Sequence, residues 1–108
     1  MASVLVSEAD PDVRRLLVLL VERLGHEAVV LGPDVRVPPR GDLLLLEPSS
    51  PECLAHARAA RDVSPKLRVI SLNMVPPEGA FLTEGPLEYL PKPFTVEQLR
   101  TVVQRALA

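Results

Sequence analysis

The stretch DLLLLEPSSP places an uninterrupted run of leucine, Leu43 to Leu46, directly before an acid, Glu47. Strands with one wet face alternate polar and apolar residues, whereas a short continuous apolar run is typical of a strand buried on both faces. A strand of that kind needs a layer of helices on each side of its sheet. The run therefore predicts the interior of a parallel α/β sheet that is covered on both faces.

Further strands and helices along the chain fit this interpretation. Short apolar segments predict strands at Ser3 to Ser7, His26 to Leu31, Asp42 to Leu46, Leu67 to Asn73 and Leu87 to Leu90. Apolar spacing or alanine-rich sequence predicts helices from Pro11 to Leu24, from Pro51 to Val63 and from Val96 to Leu107. Strands that alternate with helices in this way favour a parallel sheet.

The predicted helices begin at recognisable capping residues. Asp10 and Ser50 each precede a proline suited to the first helical turn. Thr95 and Gln98 have the spacing of a capping box. Gly25 follows the first helix, where a left-handed residue commonly ends a helix.

Two connections are too rich in proline and glycine for an ordinary helix. The segment from Gly32 to Gly41 holds three prolines. In residues 74–86, Pro76, Pro77 and Gly79 interrupt any helical run. We therefore expect the helices after the second and fourth strands to be shortened or lost.

Composition and charge narrow the class of function. The 108 residues predict one domain, residues 1–108, with a single hydrophobic core. A formal net charge of -2 disfavours direct binding to nucleic acid. The longest apolar run, Leu16 to Val21, is far shorter than the roughly 20 residues that span a bilayer, and Glu8 interrupts the region where a signal peptide would be apolar. We expect a soluble, cytoplasmic protein that does not contact a membrane.

Polar residues stand at the carboxyl ends of several predicted strands. Glu8 follows the first strand, Glu47 the third, Asn73 the fourth and Lys92 the fifth. In open α/β sheets the functional crevice lies beyond the carboxyl ends of the strands. These four side chains are therefore predicted to share one crevice.

The residues around these positions give the chain a resemblance to the receiver domain of bacterial two-component response regulators, over nearly its whole length. The resemblance rests on VLVSEADPDVRRLL, DLLLLEPSSP, VISLNM and, most specifically, YLPKPFTVEQL. It implies a flavodoxin-like, doubly wound sheet of five parallel strands in the order 2-1-3-4-5. It also implies phosphoryl transfer from a histidine kinase to an aspartate, assisted by Mg²⁺, and a cis peptide bond between Lys92 and Pro93.

The sequence departs from the pattern that this family usually shows. By the resemblance, Glu8 and Ala9 replace an Asp-Asp pair, Glu47 replaces the phosphoacceptor Asp, and Asn73 replaces a Ser or Thr that acts as a switch. Tyr89 stands where family members carry an aromatic residue that swings between inward and outward positions. Only the Lys-Pro turn of the fifth strand keeps the usual residues.

Each departure weakens the chemistry that the resemblance implies. The methyl group of Ala9 cannot ligate a metal ion, and Asn73 lacks the hydroxyl. Glu47 moves its carboxylate about 1.5 Å farther from the strand than an aspartate would, given single-bond lengths. A misplacement of about 1 Å can cost roughly a hundredfold in rate. We therefore expect a pseudo-receiver in which Glu47 pairs with Lys92 and fills part of the space for a phosphoryl group.

Simpler interpretations of the same residues stay open at this point. Glu47 and Lys92 could be exposed, Asn73 could merely end a strand, and Tyr89 could fill the core. Asp10 is explained as a helix cap without any metal. Glu8, Asp10 and Glu47 are thus weak candidates for metal ligands, so we expect no resident cofactor and regard Mg²⁺ as disfavoured. Val18 and Leu19 form a possible apolar contact patch on the first helix.

The leading hypothesis is an atypical receiver module that acts by protein contact, without phosphorylation and without being an enzyme. Its expected partner is a signalling protein, either a histidine kinase or a downstream effector, and a homodimer is possible. One alternative is a true phosphoacceptor in a phosphorelay that uses Glu47 and Mg²⁺. Another is a flavodoxin-like binder of a small ligand, which is disfavoured because no glycine-rich phosphate loop follows the first strand.

Overall fold

The computed structural model describes residues 1–73 and 87–108 of the chain. The strands are β1 (Ser3–Ser7), β2 (Glu27–Val30), β3 (Leu43–Leu46), β4 (Arg68–Ser71) and β5 (Leu87–Tyr89). The helices are α1 (Pro11–Arg23), α2 (Pro51–Val63) and α3 (Val96–Leu107). Among the described residues, no helix is long and apolar enough to cross a membrane.

The strands form one five-stranded sheet in the order β2-β1-β3-β4-β5. Every neighbouring pair is parallel. The fold class and strand order implied by the resemblance are therefore confirmed. In this order β1 and β3 are interior neighbours, so their carboxyl ends lie side by side at the same edge of the sheet.

The leucine run of β3 contributes to two hydrophobic clusters on opposite faces of the sheet. Leu43 and Leu45 belong to the cluster that also contains buried side chains of α1 and α3. Leu44 and Leu46 belong to the cluster that contains buried side chains of α2. All four leucines are fully buried. This explains why the strand lacks polar residues, since both of its faces are covered.

The helices begin at the predicted capping residues, and α1 ends at Arg23, one residue before its predicted end. The Asp10 side chain accepts hydrogen bonds from backbone N–H groups of the first turn of α1, and Ser50 does the same for α2. Both hydrogen bonds of the capping box between Thr95 and Gln98 are present in α3. Gly25 has a φ of 86°, which fits the left-handed position after α1.

The predicted irregular connections can be compared only in part. Residues 31–42 contain no helix, and Val35 from this segment packs against the cluster beneath α2. The predicted loss of the helix after β4 concerns residues 74–86, which lie outside the described residues. The peptide bond between Lys92 and Pro93 is cis, as the resemblance implies.

Candidate functional site

A cleft of about 510 Å³ lies at the carboxyl edge of the sheet. Glu8, Glu47, Asn73 and Lys92 all line it, each just after a different strand. Ala9 and Asp10 line the same cleft. The structure therefore brings together the polar residues that the sequence placed at strand ends.

The ammonium group of Lys92 bridges the two glutamates. Its Nζ lies 3.0 Å from Glu8 Oε1 and 2.9 Å from Glu8 Oε2. It also lies 2.8 Å from Glu47 Oε2. The side chains of Glu8 and Glu47 are 1% and 9% exposed, and that of Lys92 is 33% exposed. Two almost fully buried carboxylates thus share one partly exposed cation, and charges in such surroundings need pairing to be tolerated.

Glu47 has further donors on the other side of its carboxylate. Its Oε1 accepts hydrogen bonds from Ser49 N at 3.0 Å and from Ser49 Oγ at 2.6 Å. Asn73 Nδ2 lies 3.4 Å from the same oxygen. These contacts exclude the simpler interpretation in which Glu47 points into solvent.

Hydrogen bonding fixes the charge states of the central pair. Burial alone raises the pKa of the Glu47 carboxyl, but hydrogen bonds from Lys92 and Ser49 outweigh burial, so the pKa is below its ordinary value. Burial alone lowers the pKa of Lys92, but its hydrogen bonds to Glu47 and Glu8 outweigh that effect and raise the pKa. Both groups are therefore charged at neutral pH.

Glu8 has a larger part in the site than the sequence indicated. Its Oε1 also accepts a hydrogen bond from Asp10 N at 3.1 Å, and its backbone carbonyl accepts one from Arg14 at 3.3 Å. The sequence argument paired Lys92 with Glu47 alone, whereas Glu8 offers Lys92 both of its carboxylate oxygens. Asp10 itself caps α1, as expected.

Ser49 lines the cleft, whereas Tyr89 and Pro93 are not among its lining residues. Ser49 was not predicted to belong to the site, although a serine two residues after an acid can form a local hydrogen bond in a turn. Tyr89 is 41% exposed and does not line the cleft, so it does not fill the core. Pro93 lies next to the site through its cis bond to Lys92 but is not among the lining residues.

The residues present do not fit a resident Mg²⁺ ion. Mg²⁺ prefers nearly octahedral coordination by oxygen at about 2.0–2.1 Å. Here the Lys92 ammonium lies between the two buried carboxylates, Ala9 offers no oxygen in its side chain, and Asp10 is engaged as a helix cap. Within residues 1–73 and 87–108, no group of three or more His, Cys, Asp or Glu residues could hold a metal ion.

Two known proteins resemble this chain in sequence over nearly its whole length. No protein-family model matches the chain. The chain is 31% identical, over 119 aligned positions, to the DNA-binding transcriptional regulator NtrC of Azospirillum brasilense, and the match covers 98% of this chain and 24% of NtrC. The NtrC of Bradyrhizobium sp. is 29% identical, with the same two coverages of 98% and 24%. The chain thus spans about a quarter of the length of these curated relatives.

Solved structures share the fold at lower identity. NtrX from Brucella abortus superposes with a TM-score of 0.77 at 21% identity, over 98% of this chain and 27% of NtrX. The beryllofluoride-activated NtrC receiver domain gives 0.71 at 24% identity, over 98% and 94% of the two chains. The chemotaxis response regulator CheY4 of Vibrio cholerae gives 0.71 at 18% identity, over 98% of each chain.

The fold is that of response-regulator receiver domains. Together, the structural neighbours and the NtrC sequences support a receiver domain in this chain.

Proposed function

We propose that this chain is a receiver module that signals by protein contact and does not depend on phosphorylation. The observation that carries the proposal is the ion pair of Lys92 with both Glu8 and Glu47, at distances of 2.8 to 3.0 Å. The groups that serve a phosphoryl group in a receiver are here bound to one another. The protein acts as a binding surface in this proposal and not as an enzyme.

The reach of Glu47 supports this proposal. The longer side chain meets Lys92 and Ser49 at the same time, so each of its oxygens already has a close donor. Attack on a phosphodonor requires an oxygen that is free and aligned with the phosphorus atom. Phosphorylation at Glu47 would have to break these contacts and would lack the third carboxylate that Ala9 does not provide.

The partner belongs to the same proposal. Both similar sequences are DNA-binding transcriptional regulators about four times as long as the matched region. We propose a signalling protein as partner, either a histidine kinase or an effector, with no direct contact between this chain and nucleic acid. The formal charge of -2 agrees with a protein partner.

Phosphorylation is tested by intact mass after incubation with acetyl phosphate and Mg²⁺. We expect no phosphoryl group on the native chain. Glu47→Asp shortens the acceptor but leaves the site without a carboxylate at position 9, and Ala9→Asp leaves the acceptor misplaced. The double variant should be the first to gain a phosphoryl group, because it repairs both defects.

The NtrC receiver domain serves as the positive control in this assay. The variant Glu97→Asp, on the exposed face of α3, controls for the substitution chemistry alone and should behave as the native chain does. Stoichiometric phosphorylation of the native chain at Glu47 would refute the proposal and favour a true phosphoacceptor. Beryllofluoride titration followed by NMR gives a second readout, and we expect no change in the amide signals of Glu47 and Asn73.

A further inference from the structure

A second cleft, of about 870 Å³, lies at the amino edge of the sheet, opposite the cleft at the carboxyl edge. It is bordered by Ser3 at the start of β1, by Asp42 before β3 and by Leu67 before β4. Pockets that bind small molecules commonly measure roughly 300–1,000 Å³. This cleft is therefore large enough for a small molecule, and the two clefts share no lining residue.

Positive charge dominates the lining of this second cleft. Arg40, Lys66 and Arg68 line it, and Asp42 is the acidic side chain among the lining residues of the described chain. The Asp42 carboxylate accepts a hydrogen bond from Ser3 N at 2.8 Å, so it already serves the backbone of β1. With three cations and one acid, the lining side chains carry a formal charge of +2, whereas the whole chain carries -2.

The end of a helix accounts for only one of these three cations. The Arg68 guanidinium donates a hydrogen bond to Ala106 O, a carbonyl in the last turn of α3, where a positive charge is favoured. That effect falls off within the last turn of a helix. Arg40 precedes β3, and Lys66 lies beyond the last turn of α2, so neither is explained in this way. Both are exposed, and within residues 1–73 and 87–108 neither forms an ion pair.

Hydrogen bonds fix the backbone of this wall of the cleft. Gly41 N donates to Ser64 Oγ at 3.1 Å, which joins the start of β3 to the end of α2. Leu67 N donates to Ser64 O at 3.0 Å and closes the turn that carries Lys66. Arg61, which is buried in α2, donates from its guanidinium to Leu67 O at 2.7 Å. Because these bonds order the wall before any ligand arrives, binding costs less conformational entropy.

We propose that this cleft binds a small phosphate-bearing molecule through Arg40, Lys66 and Arg68. A guanidinium offers parallel N–H donors to two phosphate oxygens, and a lysine ammonium adds a compact positive charge. Pro65 and Leu107 supply apolar surface in the same cleft for the rest of the molecule. The inference goes beyond the proposed function and does not rest on it, because the two sites lie at opposite edges of the sheet.

Adenosine monophosphate is the probe that tests the inference, at constant ionic strength and without Mg²⁺. In a titration followed by NMR, the amide signals of Gly41, Lys66 and Arg68 should shift. Those of Glu47 and Asn73, in the other cleft, should not. Adenosine, which lacks the phosphate, should cause no such shifts, and inorganic phosphate should displace the nucleotide. Shifts centred on the other cleft, or equal shifts with adenosine, would overturn the inference.

Variants of the two unpaired cations give a second measurement by calorimetry. Arg40→Gln and Lys66→Gln should each weaken binding of the nucleotide by about fivefold or more, as the loss of one close charge contact does. Arg58→Gln makes the same change in net charge at an exposed arginine of α2 that does not line the cleft, so it should bind as the native chain does. Equal affinity in all three variants would contradict the proposal.

Vesicles distinguish a free phosphate compound from the phosphate of a lipid headgroup. The protein should stay in the supernatant when vesicles of phosphatidylcholine and phosphatidic acid are sedimented. Binding to these vesicles without binding of adenosine monophosphate would overturn the inference. None of these measurements involves phosphorylation at Glu47, so this proposal can fail while the proposed function stands.

Discussion

At Glu47, hydrogen bonding and burial act in opposite directions on one carboxyl group. Burial raises its pKa, but hydrogen bonds from Lys92 and Ser49 bring the pKa below its ordinary value of 4.5. A carboxyl whose pKa is lower in the folded state stabilises the fold above its unfolded pKa, and this contribution is lost as pH falls through the folded value. Lys92 behaves in the opposite way, since its raised pKa gives a contribution that is complete below 10.5 and lost as pH rises through the folded value.

The first prediction concerns Glu47→Gln. At pH 7 this change should lower the free energy of unfolding by about 1–3 kcal/mol, because a buried charge-assisted hydrogen bond is lost. The difference from the native chain should shrink as the pH is lowered well below 4.5, because the native carboxyl then becomes protonated as well. Urea unfolding at a series of pH values measures both effects.

The control for this prediction is Glu97→Gln. Glu97 also forms an ion pair, with Arg100, but its side chain is 76% exposed. Exposed pairs of this kind are worth about 0.3–0.5 kcal/mol, so the control should remain near the native stability. If the loss of stability in Glu47→Gln were the same at neutral and acid pH, the hydrogen bonds from Lys92 and Ser49 to the charged carboxylate would not be its cause.

Gly41 has no Cβ, and this leaves room for the side chain of Leu5 in β1. A Cβ at this position would lie 2.7 Å from Leu5 Cγ and 2.8 Å from Leu5 Cδ1. Leu5 is fully buried in β1, and close-packed protein interiors leave few voids into which a side chain can move. Gly41→Ala should therefore destabilise the fold by about 1–3 kcal/mol, as overpacking of a core does.

Gly32→Ala is the matched control for that change. A Cβ at Gly32 would meet nothing within 4 Å. Its substitution should be neutral or should stabilise the fold by about 0.4–1 kcal/mol, because alanine restricts the unfolded chain. Thermal unfolding of both variants measures the contrast, and equal stability of the two would show that Leu5 yields more easily than its burial indicates.

At the scale of single elements, α3 begins with a capping box formed by Thr95 and Gln98. Thr95 Oγ1 accepts a hydrogen bond from Gln98 N at 3.1 Å, and Gln98 Oε1 accepts one from Thr95 N at 2.8 Å. Thr95→Ala removes the first of these bonds and should lower the free energy of unfolding by about 1 kcal/mol. Thr95→Ser keeps the hydroxyl and should stay close to the native value in the same urea titration. A loss of equal size in both variants would assign the effect to the methyl group of Thr95.

The positions of helices and strands could be predicted from the sequence because the residues that determine them are close together in the chain. Caps such as Asp10 and Thr95 stand within a few residues of the groups that they satisfy, and β1 and the start of α1 were predicted to the residue. For β2, β3, β4 and β5 the predicted segments extended one or two residues beyond the observed ends. Leu31, Leu67 and Leu90 lie just beyond strand ends and are also apolar and buried, so an apolar pattern alone does not mark where these strands end.

The candidate site was predictable only in outline. Strand order places Glu8, Glu47 and Lys92 at one edge of the sheet, and the parallel topology could be inferred from the sequence. The ion pair of Lys92 with Glu47 was also predicted, and the structure contains it. The second partner, Glu8, was not predicted, because Lys92 and Glu8 are 84 residues apart and their contact depends on side-chain directions. Ser49 was missed because its bond to Glu47 depends on the backbone of the turn after β3.

At the scale of the whole molecule, β3 contributes residues to both hydrophobic clusters and so connects them. Leu45 packs with α1 and α3 on one face, and Leu44 packs with α2 on the other. Alternate residues of β3 pack into the two clusters. Loss of packing on either face therefore destabilises the same strand. We therefore expect the two faces to unfold together.

The last prediction tests this coupling with Leu44→Ala and Leu99→Ala, which create a cavity on opposite faces of the sheet. Both leucines are fully buried, and each change should cost about 2–5 kcal/mol. The slowest-exchanging amides of α1 and of α2 should lose protection by the same factor within each variant. Leu19→Ala, at a leucine that is 47% exposed, should leave protection nearly unchanged. If Leu99→Ala lowered protection in α1 and α3 but left α2 as in the native chain, the two clusters would unfold separately and β3 would not couple them.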